Sequence, residues 1–171
     1  GYRGAFAPAP ATPWTAGWAN WDPQNATYGT PTATLTGSIT SNTTLNASTV
    51  YSISGVVYVD SGVTLTIPAG TTIEATGGTS SYIAIAQDGL LYVNGTSTNP
   101  VVMTSGNAVK ATGDWGGLVI CGRAKTNKGG SNGETATSEV GDLTYGGNEN
   151  DDSSGVIRYL RVEYTGAAFT A

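Results

Sequence analysis

Short apolar stretches recur in this sequence about every 27 residues, and this spacing restricts the possible folds more than any other feature. The clearest unit has three such stretches, which are residues 56–59, 63–67 and 71–75. In the middle stretch Val63, Leu65 and Ile67 alternate with threonine, which predicts a strand with one buried face. Short turns containing glycine separate the predicted strands.

The same three-strand unit returns further along the chain. Gly89 stands in the turn 27 residues after Gly62, and the strands of the second unit are residues 82–86, 90–93 and 101–104. A third pass consists of residues 115–120 and, after a long loop, residues 155–164. A period of roughly 20 to 30 residues with three short strands is typical of a parallel β-helix, in which each coil buries its inward side chains by stacking on the next.

We therefore predict an all-β fold, a right-handed parallel β-helix (β-solenoid), over residues 32–171. The competing fold is a β-sandwich, which needs hairpin turns between successive strands. Hairpin signals of the Asn-Gly or Asp-Gly type occur only at residues 88–89, 94–95 and 132–133. The solenoid accounts better for this pattern.

Residues 1–31 differ from the repeats, because they are rich in proline and aromatic residues. The prolines exclude a regular helix or a central strand, and tryptophan side chains are costly to leave in water. We expect an irregular cap or clasp that lies against the first part of the solenoid. As an alternative, Trp14, Trp18 and Trp21 stack on glycans or contact another subunit.

Composition and charge exclude several classes of function. The net charge is −5, with seven lysines and arginines in 171 residues, so a basic surface for nucleic acid or an anionic membrane is not expected. The apolar runs are too short to cross a bilayer. The chain contains no histidine, which removes the commonest general base and transition-metal ligand. Cys121, the single cysteine, lies in an apolar stretch and is expected to be a small buried side chain.

Four parts of the chain resemble motifs of a family of bacterial right-handed β-helix surface proteins. They are GAF (4–6) with WTAGW (14–18), GVTLTIPAGTTI (62–73), DWGGLVICGRA (114–124), and YGG (145–147) with SGVIRYLRVEY (154–164). The resemblance covers nearly the whole chain and implies a secreted or cell-surface protein from Bacteroidota-like bacteria. It carries over no catalytic residues. Such proteins usually continue through further coils, so we expect a fragment, a cleavage product or a subunit completed by a neighbour.

The most polar part of the sequence lies in the loop predicted between residues 125 and 154. Hard oxygen ligands on a flexible loop suit Ca²⁺. The candidate ligands are Asp142, Asn148, Glu149, Asn150, Asp151 and Asp152. Their spacing is not that of an EF-hand, and a solvated acidic loop is the alternative. No cofactor other than calcium is expected.

A polysaccharide lyase or hydrolase is the catalytic alternative. Such enzymes need two facing carboxylates, or an arginine or lysine base beside acids. The acids on predicted strands are Glu74 and Glu163, and Arg158, Arg161 and Glu163 fall together on the last strand. Alternating charges on a solvent-facing strand are more simply a surface ion-pair ladder.

The function we predict is that of a non-catalytic structural or adhesive module, secreted or on the cell surface. Its basis is the low charge, the abundant threonine and glycine, and the continuous ladder of strands. Because a coil end leaves backbone groups unpaired, we expect self-association, as in a filament, stalk or sheath, or binding to other surface proteins. The alternative is a polysaccharide-binding or polysaccharide-degrading β-helix protein.

Overall fold

A computed structural model describes residues 10–128 and 133–168 of the chain. These residues form a short 3-10 helix, Pro23–Asn25, and thirteen strands. The strands are β1 (Ala33–Ile39), β2 (Thr43–Thr44), β3 (Val50–Val59), β4 (Thr64–Pro68), β5 (Thr72–Thr76), β6 (Gly78–Ile85), β7 (Leu90–Asn94), β8 (Val101–Ser105), β9 (Trp115–Ile120), β10 (Ala136–Thr137), β11 (Thr144–Tyr145), β12 (Gly155–Arg158) and β13 (Leu160–Val162).

Each strand of the solenoid pairs in parallel with the strand one coil away. β4 pairs with β7, β5 with β8, and β6 with β9. Within the described residues the one antiparallel pairing joins β10 and β11, two short strands of the long loop between β9 and β12. The prediction of a parallel β-helix is therefore confirmed, and the sandwich alternative is excluded.

Two strands bend and thereby give each coil three faces. Residues 50–54 of β3 pair with β5, whereas residues 56–59 pair with β6. Gly55 lies between the two halves with a φ of 117°, a conformation that glycine adopts without a steric penalty. β1 bends in the same way near Gly37, where its register on β3 shifts.

The three faces are named here by the strands they carry. The first face carries β5, β8 and β13, together with the first halves of β1 and β3. The second face carries β6 and β9, together with the second halves of β1 and β3. The third face carries β2, β4, β7 and β12.

Alternation along each strand decides which side chains point into the coil. On β4, Leu65 and Ile67 are fully buried, while Thr64 and Thr66 are only partly buried and face outward. Leu65 stacks on Leu91 of the next coil, and Ile73 stacks on Met103. A fully buried aliphatic side chain of this kind contributes about 1.5–3 kcal/mol. The core is therefore built between coils.

Residues 10–31, called the strap from here on, lie outside the first face. Thr32, which follows the strap, donates its backbone N–H to the Val50 carbonyl at 2.9 Å, which joins this end to the second coil. The side chains of Asn20 and Tyr28 reach Glu163, just beyond β13 on the last coil. The strap thus reaches the last coil, whereas we expected it against the first part of the solenoid. The GAF stretch, residues 4–6, lies outside the described residues.

Candidate functional site

The carboxylate of Glu163 is the point where the strap is held on the last coil. Its Oε1 atom accepts hydrogen bonds from the Tyr28 hydroxyl at 2.7 Å and from Nδ2 of Asn20 at 3.4 Å. Its Oε2 atom accepts one from the Thr104 hydroxyl of β8 at 3.0 Å. Burial, and then the hydrogen bond to Glu163, raise the pKa of Tyr28 above its usual 10.0. The phenol is therefore held in its neutral, hydrogen-donating form.

Arg161 is the second anchor of the strap. Its Nε donates to the backbone carbonyl of Trp18, and Nη2 donates to the carbonyl of Gly17 at 3.3 Å. We predicted a surface ion-pair ladder for Arg158, Arg161 and Glu163. This prediction is wrong for Arg161 and Glu163, because both use their polar atoms to bind the strap.

Aromatic side chains continue the contact between the strap and the last coil. The ring centroids of Trp14 and Trp18 are 5.6 Å apart with the planes tilted by 43°, and Trp18 meets Tyr159 edge-on at 5.7 Å. Trp14 is 65% exposed and Trp21 is 76% exposed. The tilted rings do not form one flat stacking surface, but Trp14 and Trp21 both offer exposed aromatic area.

Lys110, from the loop between β8 and β9, also borders the strap. Its ammonium lies 5.9 Å from the ring centroid of Tyr28 and 5.9 Å from that of Tyr164. Cation–π attraction at such distances stabilises the contact between this loop and the strap. The same loop and residues 24–27 of the strap enclose a groove of about 540 Å³.

The acidic loop predicted to bind calcium is largely exposed. Asp142, Asn148, Glu149, Asn150 and Asp151 are exposed, while Asp152 is partly buried. The carboxylate of Asp152 accepts the backbone N–H of Arg123 at 2.9 Å. Across residues 10–128 and 133–168, no three aspartates, glutamates or cysteines lie close enough together to hold a metal ion. Calcium binding stays a prediction that this arrangement does not strengthen.

An exposed ion pair joins the long loop to a turn of the third coil. Arg123 binds Asp88 through two hydrogen bonds, from Nε to Oδ1 and from Nη2 to Oδ2, each at 2.6 Å. The hydrogen bonds to Arg123 hold the pKa of Asp88 below its usual 3.8. Gln87 ties the same turn to the loop by donating to the carbonyls of Gly122 and Gly146, at 3.0 and 2.7 Å.

A groove of about 390 Å³ lies where the long loop meets the second face. Its lining includes Tyr58, Ser61, Gln87, Cys121, Arg123 and Asp142. Asp142 is the one carboxylate among the described lining residues, whereas hydrolysis of a glycoside requires a pair. Sequence reasoning missed this groove. Its signal in the sequence is an outward tyrosine, Tyr58 of β3, on the same face as β9, the strand that the long loop follows.

Cys121 is almost fully buried at the edge of this groove. Burial raises the pKa of its thiol above the usual 9.0, so the unreactive protonated form predominates at neutral pH. These properties are those of the small buried side chain that the sequence predicts.

A comparison with protein-family models matches residues 37–171 to the pectate-lyase-like β-helix domain. No curated protein and no solved structure matches the chain. The described residues form no helix of the length and apolar character needed to span a membrane.

Proposed function

The chain belongs to the family of pectate-lyase-like β-helix domains, and we propose that it is a non-catalytic structural or adhesive module, secreted or displayed on the cell surface. The fold is a continuous parallel ladder with a low content of charged residues, 11% of the chain. Such a ladder presents a stable, extended surface without requiring a reactive group.

The proposal rests on one observation, which is that the charged side chains of Arg161 and Glu163 on the last coil are occupied by hydrogen bonds. Glu163 and Arg161 are the residues that a lyase or hydrolase would take for acid or base chemistry. Glu163 instead accepts hydrogen bonds from Tyr28, Asn20 and Thr104, and Arg161 donates to two carbonyls of the strap. Groups engaged in this way hold the strap on the last coil, so their polar atoms are occupied and not directed at a substrate.

Polysaccharide binding is the second candidate, and the exposed tryptophans favour it. Trp14 and Trp21 each leave more than half of their surface open. An open indole face is suited to stacking on a sugar ring. The name of the matching family also points to polysaccharides, although it describes a fold shared by the whole family.

A turnover assay tests the non-catalytic proposal. The purified chain is incubated with pectin, alginate and neutral glycans, and unsaturated products and new reducing ends are measured. We expect neither. Product formation that is abolished by Arg161→Ala and retained by Arg158→Ala, with both variants folded, would contradict the proposal.

Retention on insoluble polysaccharides tests the second candidate. Binding by aromatic stacking predicts that Trp14→Ala or Trp21→Ala releases the chain from the polymer. Val109→Ala is the matched control, because Val109 is an apolar side chain that is 85% exposed. Equal retention of all three variants would exclude these tryptophans as the binding surface.

A further inference from the structure

The groove of about 390 Å³ between the long loop and the second face is called the loop groove from here on. Part of its lining comes from the turns that follow β3, β6 and β9, which contribute Ser61, Gln87 and Arg123. Another part comes from residues 142–144 of the long loop. Tyr58 points outward from β3 and also lines the groove. Its volume lies within the range of about 300–1,000 Å³ that is usual for small-molecule sites.

Hydrogen bonds hold the long loop against the solenoid, so the loop groove exists without a ligand. Nε2 of Gln87 donates to the carbonyls of Gly122 and Gly146, at 3.0 and 2.7 Å. The backbone N–H of Gly146 donates to the Gly122 carbonyl at 2.7 Å. Gly141 lies so close to the Tyr82 hydroxyl that a Cβ would not fit between them. A preformed groove loses little conformational entropy when a ligand binds.

Asp142 contributes a carboxylate that the loop does not use. Its backbone has a φ of 51°, directly after Gly141 with a φ of 72°. Glycine adopts such angles without a steric penalty, so the turn itself does not require an acidic residue. Within the described residues the carboxylate of Asp142 has no ion pair and no hydrogen bond. It is therefore free to bind a ligand in the groove.

The positive charge of Arg123 is already neutralised. Its Nε and Nη2 atoms bind the carboxylate of Asp88, each at 2.6 Å. The hydrogen bonds to Asp88, with weaker effects of Glu149 and Asp152, raise the pKa of Arg123 above its usual range. Among the described lining residues, Asp142 is thus left as the uncompensated charge. Such a groove attracts cations and repels anions.

The other polar groups of the lining can accept hydrogen bonds. The amide atom of Gln87 that faces two carbonyls must be its nitrogen, so Oε1 remains as an acceptor. The hydroxyls of Tyr58, Ser61 and Thr144 have acceptor lone pairs as well. An ammonium group donates three hydrogen bonds and accepts none. The lining therefore complements an ammonium group that is surrounded by hydroxyls.

We propose that the loop groove binds an amino sugar, a hexose unit whose free amino group is protonated. The ammonium group binds the carboxylate of Asp142, the sugar ring packs on Tyr58, and the sugar hydroxyls bond to Ser61 and Thr144. This inference rests on the proposed adhesive role and gives that role a ligand. The same charge disfavours an acidic sugar such as the uronate of pectate.

Calorimetric titration of the whole chain with three sugar tetramers tests the proposal. The tetramers are those of glucosamine, N-acetylglucosamine and galacturonate, at a mildly acidic pH where glucosamine is protonated. We expect glucosamine to bind at least about tenfold more tightly than its acetylated form, and galacturonate not to bind. Tetralysine carries ammonium groups without a sugar ring, and we expect it to bind more weakly than the glucosamine tetramer.

Two variants assign the binding to this groove. Asp142→Asn removes the charge but keeps a residue that tolerates a φ of 51°, so it should fold and lose the preference for glucosamine over the acetylated form. Asp151→Asn is the matched control, because Asp151 is an exposed acid of the same loop outside the groove lining. Tyr58→Ala should weaken the binding of both neutral and cationic tetramers. Melting temperatures establish that each variant is folded.

Three results would overturn the proposal. They are absence of glucosamine binding, equal affinity for the glucosamine and N-acetylglucosamine tetramers, and unchanged glucosamine binding by Asp142→Asn. Tetralysine binding as tight as that of glucosamine would overturn the assignment to a sugar. None of these results bears on the non-catalytic role, which the turnover assay tests separately. Trp14→Ala and Trp21→Ala should leave these affinities unchanged, so the groove is also distinguished from the exposed tryptophans.

Discussion

The third and the last coil carry similar side chains at equivalent inward positions, yet their burial differs completely. Ile85 and Val93 of the third coil are 0% exposed, whereas Ile120 and Ile157, directly above them, are 39% and 46% exposed. Side-chain type and strand register are matched, so neither explains the difference. The difference is that the third coil has a paired coil on each side, whereas Ile120 and Ile157 have one only on the side of the third coil. Burial in this fold is therefore a property of the stack and not of a single coil.

The largest expected effect comes from matched truncations at these two levels. Ile85→Ala removes buried methyl and methylene groups from the sealed core and should lower the free energy of unfolding by about 2–5 kcal/mol. Ile120→Ala removes the same atoms from a partly exposed position and should cost less than about half as much. Urea unfolding measures both. Equal losses would contradict the view that burial depends on the stacking of coils.

A smaller effect is expected where the strap is held on the outside of the last coil. Tyr28→Phe removes the hydrogen bond to Glu163 and should cost about 1 kcal/mol, less than the ~1.5–3 kcal/mol typical of a bond to a charged group, because water competes at this partly exposed site. Since the pKa of Tyr28 is raised, its contribution is fully present below pH 10.0 and is lost as the pH rises through the pKa of the folded state.

The pH dependence provides the measurement for this prediction. Unfolding midpoints of both proteins are compared from pH 8 to pH 11. The advantage of the wild type should shrink towards the alkaline end. A difference that stays constant over this range would mean that ionisation of Tyr28 does not release the strap.

The smallest effect is expected at the exposed corner of the third coil. Asp88→Asn removes one charge of the pair with Arg123 but keeps a residue that tolerates the φ of 66° found there. Exposed pairs stabilise little, so the melting temperature should fall less than in either change above. The lowered pKa of Asp88 places this contribution above pH 3.8, and it should disappear as the pH falls below that value. Asp151→Asn is the control for loss of one exposed charge.

The sequence predicted the coils well because their signal is local. The expected equivalence of residues 82–86 with 56–59, and of 90–93 with 63–67, appears in the observed pairing. Residues 50–54 were missed as a strand because no turn sequence separates them from residues 56–59, and only the bend at Gly55 divides the two faces.

The strap could not be placed from the sequence for a different reason. Its contacts join Trp18 to Arg161 and Tyr28 to Glu163, pairs separated by 143 and 135 positions in the chain. No periodic pattern links an irregular segment to a strand so distant. From the sequence, Arg161 and Glu163 were therefore expected to pair with neighbouring charges on the last strand. In the structure Arg161 binds backbone carbonyls of the strap, and Glu163 binds the Tyr28 hydroxyl.

The corner between β9 and β12 shows how freely this architecture accepts extra chain. The long loop is inserted at this corner, yet Ile120 and Ile157 on either side keep the register of the coil below. Lengthening such a loop raises the entropic cost of closing it only slowly. This corner is thus a natural position for grafting a foreign peptide, which would be displayed at the surface while the framework beneath kept its geometry.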